Sequence, residues 1–183
     1  MDWYSIVKLL HVVSATVWVG GGFTLMLLAF LADRAGDLPG TLQAMRATGE
    51  LGGKLFAPLS ILTLAFGLVM CWFWVGFSEL WIIIGLAGYF TTFCVGMFIF
   101  KPTAEKMAEM IDRDGVTPGA LAHGQRILTA ARFDYAVMLV IIADMVLKPT
   151  LHDIAILAAM LMILAIGLAL SLGGARRLTP RVA

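Results

Sequence analysis

The chain has 183 residues, 61% hydrophobic and 14% charged, with a formal net charge of +1. Soluble domains run nearer half apolar and a quarter charged. That composition excludes a soluble globular domain, and the near-neutral charge excludes a nucleic-acid partner, which calls for a basic face. What remains is an integral membrane protein whose first partner is the lipid bilayer, with a length that allows one domain over residues 1–183.

A helix that crosses the hydrocarbon needs about 20 mostly apolar residues. The first such segment is 3–31. It contains "LLHVVSATVWVGGGF" (9–23), where His11 interrupts an apolar stretch that runs on to Gly20, Gly21 and Gly22. The segment has no basic region before it and is too long for a signal-peptide core, so it is expected to stay as a helix. Residues 32–53 follow as a modest loop with short helical patterns.

Segments 55–75 and 80–100 are separated only by "GFSEL" and are expected to form a tight helical hairpin. Cys71 and Cys94 lie inside these runs without CxxC spacing and read as small buried hydrophobes. Gly85, Gly88, Thr92 and Gly96 fall on one face of the third segment, as do Gly167 and Ser171 in the last, where small side chains let helices approach.

The segment 101–126 reads as a second loop, broken by Asp-Gly and Pro-Gly. Segment 130–147 is the least apolar, since it carries Asp134 and Asp144. Segment 154–172 completes five spans. "FKPTAE" at 100–105 and "LKPTLH" at 147–152 are expected to mark helix ends, the lysine suiting a helix C-terminus and the proline stopping the helix, with Thr150 as a cap for the next.

Charge sets the expected direction. Arg34, Arg46, Lys54, Lys101, Lys106, Arg113, Arg126, Arg132, Arg176, Arg177 and Arg181 fall on one side of a five-span layout, and only Lys8 and Lys148 on the other. The positive-inside rule then places the N-terminus outside and the C-terminus in the cytoplasm. The fold expected is an all-α, polytopic bundle of five transmembrane helices.

Ionisable groups inside a span are costly and are functional candidates by default. The layout gathers Lys8, His11, Asp144, Lys148 and His152 near the outer surface. Asp144 and Lys148 have i, i+4 spacing, the favourable order for an ion pair. His11 lies too deep to snorkel easily, with Asp144 across helices and Ser14 nearby as hydrogen-bond partners. The alternative is that it binds a metal or haem iron, for which neutral imidazole is a common ligand. Lys8, His11, Ser14, Ala15, Trp18 and Gly22 share one helix face, and the glycines admit a bend or a flat ligand. There is no Walker loop, nucleotide fingerprint or HExxH.

At "LLHVVSATVWVGGGF" and "APLSILTLAFGLVM", with "DMVLKPT" further on, the sequence resembles an uncharacterised family of bacterial integral-membrane proteins. It is also distantly similar to HemJ-type protoporphyrinogen oxidases and CopD-like copper-resistance membrane proteins. The HemJ resemblance implies haem b held by the first-span histidine, here His11, with Trp18 to Gly20 matching the tryptophan-glycine segment. Where HemJ-like first spans go on with tyrosine, arginine and histidine, this chain reads "FTLMLLAFLAD".

The expected function is haem b binding in a bacterial inner membrane, with a redox or electron-transfer role on the outer half. His11 would be the metal ligand, with Trp18, Gly21, Gly22, Asp144 and Lys148 as further cofactor contacts. A redox partner or larger membrane complex would accompany it. The alternatives are a non-enzymatic accessory subunit or homo-oligomer, in which polar residues serve packing, and a small-solute or proton carrier. Enzymatic activity stays open.

Overall fold

The computed structural model describes residues 2–176, with side chains through residue 173. Arg177 and Arg181 of the basic tail, and the side chain of Arg176, lie outside the described residues. Seven α-helices account for most of the chain: α1 Trp3–Ala35, α2 Leu38–Leu51, α3 Ala57–Met70, α4 Leu80–Val95, α5 Lys101–Asp114, α6 Pro118–Leu147 and α7 Ile154–Arg176. No strand occurs among the described residues.

Several of these helices run on into one another. Four continuous stretches, Trp3–Ala35, Leu38–Val75, Leu80–Asp114 and Ile154–Gly173, are long and apolar enough to cross a membrane. Helix α6 is the fifth; its apolar half is interrupted by Arg132, Asp134 and Asp144. The five-helix count expected from sequence therefore fits the structure. The expected loops differ, because residues 38–51 and 101–114 are helical and extend their neighbouring spans.

Pro58 and Pro102 explain how those stretches stay unbroken. A proline inside a helix lacks an N–H, and its ring presses on the carbonyl four residues earlier. Upstream of each, the helix widens into a π turn, Gly52–Phe56 and Gly96–Phe100. The Ala57 N–H closes the first on the Gly52 carbonyl, and the Lys101 N–H closes the second on that of Gly96. Both sites read Gly-x-x-x-Phe-x-Pro. The wider turn relieves the crowded carbonyl, so the Lys-Pro-Thr at 101–103 does not end a helix, contrary to the sequence expectation.

The second Lys-Pro-Thr does end one. Lys148 adopts a left-handed backbone (φ 47°) as the cap of α6, and its N–H bonds the Asp144 carbonyl. Thr150 does not cap α7. Asp153 stands before Ile154, and its carboxylate accepts from the Thr150 N–H and hydroxyl, both at 2.8 Å.

The chain divides into two compact units, one up to Ile83 and one from Ile84 onward. In the first, α1 packs on α2 and α3. Met26, Ala29, Thr41 and Met45 are buried between α1 and α2, Ser14 on α1 and Ser60 and Thr63 on α3 are buried further along, and Phe56 is buried in the π turn before α3. In the second unit α6 is the central helix. It packs on α5 and α7, and also meets the glycine face of α4. A β-carbon at Gly85 would strike Met145, and one at Gly88 would lie 2.6 Å from Ile141 Cγ1. Gly167 of α7 likewise lies directly against Ala136. Close approach through missing side chains holds helices together where lipid removes the hydrophobic drive.

Candidate functional site

Helices α1 and α3 run antiparallel in a constant register. The rings of Tyr4 and Trp74 meet edge-on, 5.6 Å between centroids. Further along, His11 meets Thr63 and Gly67, and beyond that Gly21 meets the ring of Phe56. By the same register, Trp18 stands level with Ser60.

His11 Nδ1 lies 2.7 Å from the Thr63 main-chain oxygen. A carbonyl oxygen can only accept, so Nδ1 carries the hydrogen, and in the neutral ring Nε2 keeps its lone pair. Space for the ring comes from Gly67, where an added β-carbon would sit 3.2 Å from His11 Cε1 and 3.4 Å from Nδ1. The Thr63 hydroxyl is engaged with the Leu59 carbonyl at 2.8 Å, so it does not compete for the imidazole.

On the neighbouring helix of its own unit, His11 finds its hydrogen-bond partner in the Thr63 carbonyl, which takes the Nδ1 proton. The sequence reading missed Thr63 and Gly67. The small residues Ser60, Thr63 and Gly67 along one face of "APLSILTLAFGLVM" mark where another helix can approach, but not which carbonyl receives the ring.

The three glycines divide between roles. Gly21 makes room for Phe56, whose Cε1 would lie 2.8 Å from an added β-carbon. A methyl at Gly20 or Gly22 would meet nothing within 4 Å. Helix α1 continues through all three, so they introduce no break. Trp18 is half-buried and Ser14 is buried on the same side of α1.

The remaining residues singled out from sequence lie in the second unit. Asp144 is fully buried, and neither of its carboxylate oxygens has a hydrogen-bond partner among the described residues. The i, i+4 ion pair expected of Asp144 and Lys148 presumes helical backbone at both positions; Lys148 has left the helix, and neither Asp144 oxygen takes a hydrogen bond from it. His152 sits exposed in the turn before α7. Asp134 is also buried, with Oδ1 unpartnered. No group of three or more His, Cys, Asp or Glu side chains suited to a metal ion occurs among the described residues.

A chain built of five long apolar helices, with ionisable groups set into their packed faces, is a multi-pass integral membrane protein. Residues 5–149 match the family described as "Predicted integral membrane protein (DUF2269)", and the chain belongs to that family. No curated protein and no solved structure matches it.

Proposed function

We propose that this chain is a haem b protein of a bacterial inner membrane, with a redox or electron-transfer role, in which His11 would hold the haem iron through Nε2. The supporting observation is the bond from His11 Nδ1 to the Thr63 carbonyl. Histidines that ligate metals usually donate their other N–H to a carbonyl or carboxylate, which fixes the tautomer and aims the ring. Trp18 and Gly22 continue the His11 face, and Gly22 has no side chain to obstruct a flat macrocycle. The similarity of "LLHVVSATVWVGGGF" to HemJ-type first spans supports the same reading. Haem would supply a one-electron couple, while the chain supplies the nitrogen, its fixed tautomer and an apolar surround that sets the potential. The N-terminus faces outward, the side that the distribution of basic residues favours. The test is the haem content of protein purified from cells supplied with haem: about one haem per chain is expected, and a chain free of haem under those conditions removes the reading.

A second reading is favoured by a separate feature of α1. Thr16, Gly20 and Thr24 repeat at four-residue spacing and are all exposed. The two hydroxyls turn back onto their own helix, Thr16 to the Val12 carbonyl and Thr24 to that of Gly20, each at 2.8 Å. Such a stripe of small residues suits association with another transmembrane helix, as in a homo-oligomer or an accessory subunit of a larger complex. Measuring the mass of the protein in native detergent complexes tests this; a strictly monomeric species opposes it.

A further inference from the structure

Helix α6 carries two carboxyl groups that the haem reading does not use. Asp134 and Asp144 are 3% and 0% exposed. Asp134 Oδ1 and both oxygens of Asp144 have no hydrogen-bond partner among the described residues. Burying an unpaired carboxylate costs several kcal/mol, and in a membrane such residues mark ion or proton pathways.

Their placement along the helix points to the same use. In the apolar half of α6, residues 130–147, Asp134 lies near one end and Asp144 near the other, about 15 Å apart along the axis at a rise of roughly 1.5 Å per residue. Helix α4 runs antiparallel beside them. A β-carbon at Gly85 would meet Asp144 Oδ2 at 3.4 Å, and Gly88 faces Ile141. Carried on, that register puts Tyr89 and Thr92 between the two carboxyls and Gly96 level with Asp134. Tyr89 and Thr92 are both buried. An added β-carbon at Gly96 would meet nothing within 4 Å, so this turn of α4 is less tightly packed than those at Gly85 and Gly88.

We propose that the α4–α6 seam conducts protons, with Asp134 and Asp144 as its two terminal proton-binding groups. One proton enters as the carboxylate at one end becomes a carboxyl, and one leaves as the carboxyl at the other end becomes a carboxylate. Between them the Thr92 and Tyr89 hydroxyls, bridged by water, each accept one proton and release one. No electron moves, and the two aqueous phases supply and take up the proton. The groups that bear on the seam are few. On α6 they are Arg132, Tyr135 and Lys148 at its ends, and on α4 Tyr89 and Cys94. Helix α7 contributes no titratable side chain from Ile154 to Gly173, and the first turns of α5 contribute Lys101, Glu105 and Lys106 beyond the Asp134 end. The proposal does not rest on haem.

The test places the purified full-length chain in phospholipid vesicles loaded with a pH-sensitive dye and imposes a potassium diffusion potential. Wild-type protein is expected to acidify or alkalinise the lumen faster than protein-free vesicles, and Asp134→Asn and Asp144→Asn each to lose that excess. Infrared spectra supply a second readout: a protonated-carboxyl C=O band should be present in the wild type and diminished in each variant, while the amide bands report that the helices remain. Asp144→Glu should recover conduction. A wild-type rate equal to that of empty vesicles overturns the proposal. So do Asn variants that conduct at the wild-type rate.

Discussion

The imidazole of His11 on α1 is held by the backbone of α3, through a 2.7 Å bond from Nδ1 to the Thr63 carbonyl oxygen. A ring fixed at one nitrogen presents the other in a single protonation state. The bond also ties two membrane helices together, so ligand and packing roles must be separated by substitutions that affect them differently.

His11→Gln makes that separation. The glutamine amide can still donate to Thr63, so the thermal midpoint in detergent should fall only slightly, while any bound haem is lost. His11→Ala leaves the carbonyl unpaired by the side chain and should cost about 1 kcal/mol more than the glutamine, the net worth of a typical hydrogen bond. Equal stability losses for the two variants would show that the bond contributes nothing.

Gly67→Ala puts a methyl 3.2 Å from His11 Cε1, and Gly67→Val adds more bulk. Overpacking of this kind costs typically about 1–3 kcal/mol. Stability and haem content should fall together, and more steeply for valine than for alanine. A Gly67→Val protein with wild-type haem content would mean that the imidazole is free to move.

Phe56 and Gly21 should behave as a pair. Phe56→Ala empties a buried site, where such truncations cost about 3–5 kcal/mol, and Gly21→Val should be harmful beside Phe56. Combined with Phe56→Ala, the valine should be tolerated better, since its methyls enter the space the ring vacates. Additive losses in thermal melts of the double variant would contradict this contact.

At the turn before α7, Asp153 accepts the Thr150 N–H and hydroxyl, and these bonds hold its carboxyl below the usual range. A carboxyl lowered in the folded state stabilises above its unfolded value, near 3.9, and that contribution disappears as pH falls through the lower, folded value. Asp153→Asn should therefore lower the melting temperature at neutral pH and make little difference once the wild-type carboxyl is protonated. Parallel pH profiles for the two proteins would refute the sign. His123 acts near neutrality: burial lowers it first, and the charges of Arg126 and Lys106 lower it further. Its folded form favours the neutral ring, so its contribution is full above the unfolded value and declines as pH falls below about 6.5. His123→Gln should flatten that decline.

The sequence made the number and position of the membrane helices legible because a span is a property of composition over a window. It also singled out His11, since a histidine deep in an apolar run has few bland explanations. It misread Pro102, whose helix-breaking effect is absorbed by the π turn Gly96–Phe100 just upstream, and it read residues 38–51 and 101–114 as loops although helical propensity extends the spans there. The partner of His11 was out of reach for another reason. A main-chain carbonyl has no sequence signature, and any of the apolar residues on α3 offers one. Only the register of α1 on α3 selects Thr63. The Asp144–Lys148 pair failed similarly, because i, i+4 spacing says nothing about the backbone angle at which a helix stops.

Whether His11 Nε2 holds haem iron is read from the absorbance spectrum of the purified protein. Wild-type protein from cells supplied with haem should show a Soret band that shifts on reduction. The band should be absent in His11→Gln, whose helices and thermal midpoint remain close to wild type. A wild-type spectrum without a Soret band, or a Soret band that survives unchanged in His11→Gln, would contradict ligation by His11.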